Sequence, residues 1–207
     1  MDQRPIRLKI EYSLELEVER VIRVIRNFKW YREHGYFASL YLPKILDIEQ
    51  ERISSEEEVR GAIAAEYDQF LYDAAAQEIT RSWSEVDERV TAALRTNGLA
   101  TTEEYVVRLT RYGTGGSYHL PNIIVVNFAK MRATVPALVH EMIHLSIERH
   151  IERHGVDQQQ KERLVELITK KIVPDMILQR QTSGHPEVEK AFGEYFPDLD
   201  AIVSHIK

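Results

Sequence analysis

Two stretches decide how the chain reads: Asn122-Ile123-Ile124-Val125-Val126-Asn127-Phe128, and after it Thr134-Val135-Pro136-Ala137-Leu138-Val139-His140-Glu141-Met142-Ile143-His144-Leu145. The first is a β-branched apolar run, the composition of a buried strand. The second predicts a helix, with Thr134 as its cap, Pro136 in the first turn where no N–H is needed, and Gly155 as its stop. On that helix His140 and His144 lie one turn apart on one face, so two imidazoles can bind one metal ion. Glu141 stands next to the first of them, where a carboxylate can take a proton from water at an open coordination position.

With 8 His in 207 residues, random placement yields this pattern in roughly 0.035 of such chains. The setting lifts it above chance. Leu138, Val139, Met142, Ile143 and Leu145 make the helix apolar on most sides, and burying two unpaired imidazoles there would be costly.

A catalytic zinc normally takes three protein ligands. The next helix opens with Asp157 and Gln160 in capping-box spacing and carries Glu162 and Glu166 one turn apart. Both sit at the edge of an apolar arc of Leu164, Val165, Leu167, Ile168 and Ile172, with Arg163, Lys170 and Lys171 on the opposite side. A helix docked by that arc brings the two carboxylates toward the core. The competing third ligand is His150, at the spacing H-E-x-x-H-x-x-G-x-x-H. That pattern needs Gly where this chain has Ile147, and a helix continuing to Gly155 turns His150 about 120° away from His144. His150 is therefore rejected as a ligand.

His140-Glu141-Met142-Ile143-His144 followed by Glu162-Arg163-Leu164-Val165-Glu166 resembles the gluzincin class of zinc metallopeptidases, over roughly residues 122–173. The resemblance implies an α+β fold, mostly helical and zincin-like, with a small mixed sheet and the active-site helix following a sheet strand. It implies zinc held by His140, His144 and Glu162, with Glu166 (more often Asp in that class) orienting a ligand histidine. Glu141 would be the general base and a peptide or protein the substrate. The class also implies a strand that pairs with an extended peptide, here expected at 122–128, and a donor for the developing oxyanion. Tyr118 and His119 on the glycine-rich connection, and His185 in a polar break, are the candidates for that donor.

Elsewhere Ile6, Leu8, Ile10 and Tyr12 alternate as in a half-buried strand. Ser13 then caps a helix expected to end before Gly35. Ser55 and Glu58 form a capping box opening one long helix through Ile63, Tyr67, Phe70, Leu71 and Ala74. Ser84 is expected to restart a helix that Asn97-Gly98 stops. Residues 105–110 read as another strand, joined through Gly113-Thr114-Gly115-Gly116 to 122–128 as a hairpin or as two strands linked by a flexible loop. Pro174 interrupts the second motif helix, and the polar break at 182–186 precedes a short C-terminal helix. The whole reads as one domain, 1–207, with an N-terminal helical part (1–100) and a metal-binding core (101–181).

Composition sets the limits. The chain is 43% hydrophobic and 29% charged, a globular profile that excludes a largely disordered chain. A net charge of −6 argues against nucleic-acid binding as the main task. Absence of cysteine excludes disulfides, thiolate metal sites and cysteine nucleophiles, and fits a reducing compartment. No window approaches the ~20 apolar residues of a membrane span, and the charged N-terminus has no signal-peptide core. The expectation is a cytoplasmic protein with no membrane or nucleic-acid partner. Two rival readings are a zincin-like scaffold without catalysis and a helical interaction module with accidental histidines, docking through its acidic helices at 56–73. Glu141 favours catalysis, because a purely structural site needs no base.

Overall fold

The computed structural model describes residues 4–44, 55–129, 134–176 and 184–206. Alternating and β-branched runs form strands β1 (Arg7–Glu11), β2 (Glu104–Thr110), β3 (Gly116–His119) and β4 (Ile123–Asn127). They make one sheet in the order β1-β2-β4-β3, in which β1, β2 and β4 are parallel and β3 is antiparallel to β4. Of the two expectations for 105–110 and 122–128, the hairpin is thus corrected, while both segments are strands of one sheet. Val107 pairs with Ile124 and Leu109 with Val126 in parallel register, and the chain returns through β3, whose His119 sits opposite Ile123. The connection is itself an edge strand. Gly113, at φ +86, supplies the left-handed conformation that starts the reversal.

Ser13 caps helix α1 (Leu14–Arg26), accepting from the Leu16 amide at 3.1 Å. The helix expected to reach Gly35 breaks at Asn27, and α2 (Phe28–Glu33) follows. The Ser55–Glu58 capping box forms and opens α3 (Glu56–Glu66). The long run expected beyond it is cut at Tyr67 and Asp68, because the Asp68 carboxylate accepts from the Phe70 amide and starts α4 (Gln69–Ser84) afresh. Ser84 is the last residue of α4 rather than a cap. Helix α5 (Asp87–Thr96) begins after Val86 and stops at Gly98, φ +74.

The HExxH helix is α6 (Thr134–His154), stopped by Gly155 at φ +66. Among the described residues Thr134 is its first residue, and its buried hydroxyl has no hydrogen-bond partner there, in contrast to the expected cap. Helix α7 (Gln158–Ile172) carries both halves of the Asp157–Gln160 capping box. Pro174 ends it in a 3-10 turn. Helices α8 (Pro186–Tyr195) and α9 (Leu199–His205) complete the chain. Of the polar break, Thr182 and Ser183 lie outside the described residues.

The architecture is α+β, mostly helical around a small mixed sheet. Helix α6 is its axis: β3 and β4 pack on one side, and α4, α7 and α9 close the others. Every residue of α6 from Leu138 to Ile147 is buried, which is why its sequence is apolar nearly all round. At about 1.5–3 kcal/mol per fully buried aliphatic side chain, Leu138, Met142, Ile143 and Ile147 anchor the helix firmly. One cluster of buried apolar residues runs from Ile6 to Ile206, so strand β1 shares its core with the C-terminal helices. The buried Glu17 carboxylate ties α1 to α4 and the end of β2, accepting from Tyr72, from Thr110 at 2.5 Å and from the Arg111 amide at 2.7 Å. Among the described residues no helix is long and apolar enough to cross a membrane.

Candidate metal centre

The 3.6-residue repeat puts the two histidines of α6 over one another, and packing of α7 against α6 brings Glu162 to them. The Nε2 atoms of His140 and His144 are 3.0 Å apart. Glu162 Oε2 lies 3.3 Å from His140 Nε2, and Oε1 lies 3.5 Å from His144 Nε2. One donor atom from each of the three residues falls within 4.8 Å of the other two. Gln158, one turn earlier on α7, donates to Glu162 Oε1 at 2.7 Å and steadies the carboxylate. Burial by itself would raise the Glu162 carboxyl, yet the two imidazoles hold it well below the usual carboxylate range. Burial likewise disfavours charge on His140, and Glu162 with Glu141 overcomes it and raises its affinity for a proton. Two nitrogens and an anionic oxygen, converging from two helices, form a group that could hold a metal ion.

Glu141 is almost wholly buried beside this group. Burial pushes its carboxyl up, while His144, His140 and Arg20 pull the other way. In this position it relies on the glycine that opens β3: a Cβ on Gly116 would stand 2.5 Å from Glu141 Oε1 and force the carboxylate to shift. A cleft of about 460 Å3 opens over the four residues, bounded by β3 on one side and by Trp30, Tyr31 and Tyr36 of the α2 region on the other. Gly116→Ala is expected to leave the thermal midpoint nearly unchanged, since the end of the flexible carboxylate can move aside, while displacing that carboxylate from its place beside the histidines. Thermal unfolding and a crystal structure of the variant check this.

The candidate oxyanion donors separate. Tyr118 lies in the cleft, its ring stacked on His144 with centroids 4.9 Å apart and planes at 13°. Its hydroxyl, however, donates to Glu148 at 2.5 Å and accepts from Lys161 at 2.9 Å, so the proton expected for an oxyanion is already committed. His119, the next residue on the strand, points to the opposite face of the sheet, where Arg23 donates to it at 2.6 Å. His185 precedes α8 and faces Glu187 at 3.2 Å, outside the cleft. Neither histidine belongs to the site. The strand expected to pair with peptide is also corrected, because β4 is flanked by β2 and β3 and its backbone is already paired. The edge bordering the cleft is β3.

Glu166 is buried one turn beyond Glu162, where its Oε2 accepts from Arg163 at 2.7 Å and its charge favours protonated His140. Arg163, expected on the solvent side, is buried instead. It bridges Glu166 and, at 2.5 Å, Glu189 of α8. His150 stays on the continuing helix and meets Asp200 of α9 at 2.7 Å, in keeping with its rejection as a ligand.

No family model, curated protein or solved structure matches this chain. Sequence inspection missed Tyr36, which follows the left-handed Gly35 and enters the cleft from the far end of the chain. Burial, then the charge of Glu162, raises its hydroxyl above the ordinary value. The cluster of aromatic residues at 28–41 was the only signal for it.

Proposed function

We propose that this chain is a metal-dependent peptidase of the gluzincin type, with zinc as the metal and His140, His144 and Glu162 as its ligands. The observation that carries the reading is the convergence of two imidazoles from one helix and a carboxylate from the next, with a buried glutamate adjoining them. Zinc bound there supplies a Lewis acid that polarises the scissile carbonyl and makes water acidic enough to be activated near neutral pH. Glu141 takes the proton of the attacking water and delivers it to the leaving amine, a transfer its raised carboxyl pKa suits. Tyr36, protonated at neutral pH, is the donor to the carbonyl oxygen in place of the candidates lost above. Strand β3 offers its free edge to an extended peptide, as strand addition requires. Glu166 orients His140, and the cysteine-free chain suits work in the cytoplasm.

Metal analysis of protein purified without chelator tests the reading together with a broad peptide library. One zinc per chain, restorable by dialysis after removal, and zinc-dependent cleavage are the expected results. Zinc without cleavage of any peptide would leave a scaffold. Substoichiometric metal that dialysis does not restore would make the histidine pair accidental.

A further inference from the structure

We propose that α1 and the outer face of the sheet form a second site, one that binds a single oxyanion group of the phosphate type. Alternate side chains of a strand point to opposite faces. On β3, Tyr118 faces α6, whereas Ser117 and His119 face α1. Ser117, Val125 and Arg108 stand side by side in register across β3, β4 and β2. Helix α1 lays Arg20 and Arg23 over this row. Arg20 Nη1 donates to Ser117 Oγ at 3.1 Å, and Arg23 Nη1 to His119 Nε2 at 2.6 Å. Arg20, Arg23, Arg108 and His119 line one cavity of about 30 Å3, room for a small polar occupant.

Two features of the cavity point to an anion. Arg20 is only 7% exposed and its Nη2 is buried without a hydrogen-bond partner, but that nitrogen lies against Gly113, outside the cavity lining; Arg108, in the lining, has an Nε in the same unpartnered condition. Glu11 Oε2 forms an ion pair with that Nε at 3.7 Å, beyond hydrogen-bond distance and from outside the lining, and among the described residues Glu19 is the one acidic group in the lining. Buried guanidinium donors without acceptors are costly, and an oxyanion presents acceptors matched to their fork. Arg23, moreover, is paired with an imidazole where a carboxylate would be usual. Burial, then the charges of Arg23, Arg20 and Arg108, holds that imidazole at about 4, so His119 is neutral at neutral pH and leaves the Arg23 charge uncompensated. In a chain of net charge −6, three arginines line one small cavity. The occupant is an oxyanion, either free or the terminus of a larger molecule reaching in from solvent.

The test is titration of inorganic phosphate into the metal-loaded protein at constant ionic strength, following the His119 ring signals by NMR. Saturable binding with a dissociation constant of about 1 mM or tighter is expected. Arg23→Gln and Arg108→Gln should each weaken it at least ten-fold with metal content unchanged, and Arg23→Lys should fall between. Phenyl phosphate, run in parallel, identifies the source: tighter binding than phosphate marks the terminus of a larger ligand, equal binding a free ion. The proposal is overturned if the His119 signals of the wild type do not move saturably, or if chloride at matched ionic strength moves them equally. It is also overturned if both glutamine variants bind as the wild type does, which would place the phosphate on the metal.

Discussion

Glu141→Gln is expected to keep one zinc per chain and to lower kcat/KM for peptide cleavage by about 10²–10⁴-fold, the usual contribution of a general base. The amide matches the carboxylate in shape, so it occupies the same space against Gly116 and disturbs neither His140 nor His144. It cannot accept the proton of the attacking water. Removing a buried group whose pKa is raised mainly by desolvation also removes a cost of folding, so the variant should unfold at the same temperature as the wild type or slightly higher. Metal analysis, thermal unfolding and kinetics together separate a lost base from a lost site. Unchanged cleavage would show that another group takes the proton and that Glu141 is a packing residue. Loss of zinc along with activity would show that Glu141 belongs to the ligand set.

What sequence disclosed and what it withheld follow from the range of the interactions. Capping boxes act over three residues, so Ser55 with Glu58 and Asp157 with Gln160 were legible, as were the left-handed stops at Gly98 and Gly155. The histidine pair was legible because helical period alone sets it. Glu162 needed one further assumption, that α7 docks by its apolar arc, and the arc was plain in the residues. Strand direction was not legible, because the composition of β2 and β4 is equally suited to parallel or antiparallel pairing. Strand β3 was missed because Gly116-Ser117-Tyr118-His119 has weak strand propensity and owes its form to pairing with β4. The break at Tyr67 and Asp68 interrupts a continuous apolar period, so a local cap overrode the longer pattern. Tyr36 and Arg163 depend on contacts between elements distant in sequence, with α7 for the first and α8 for the second, and no spacing rule reports those.

The assignment of Glu162 rather than Glu166 as third ligand is where that docking assumption can be measured. Glu162→Ala is expected to weaken zinc binding by more than the roughly 10–100-fold that loss of an outer partner costs, because an anionic donor disappears from between the two imidazoles. The thermal midpoint of the metal-free protein should fall as well, because His140 and His144 hold the Glu162 carboxyl well below its usual range, an interaction that outweighs its burial and is forfeited in the variant. Glu166→Ala should differ in its effect on metal binding. It leaves Arg163 buried with Glu189 as its remaining carboxylate partner among those described here, and stripping one partner from a buried ion pair is strongly destabilising. The thermal midpoint should therefore drop clearly, while zinc affinity falls only within the outer-partner range. Competition titrations against a chromogenic chelator, with unfolding curves on the metal-free proteins, give both quantities. A larger affinity loss in Glu166→Ala than in Glu162→Ala would reverse the two roles. It would mean that α7 rotates on binding metal so that the second carboxylate, not the first, reaches the histidines.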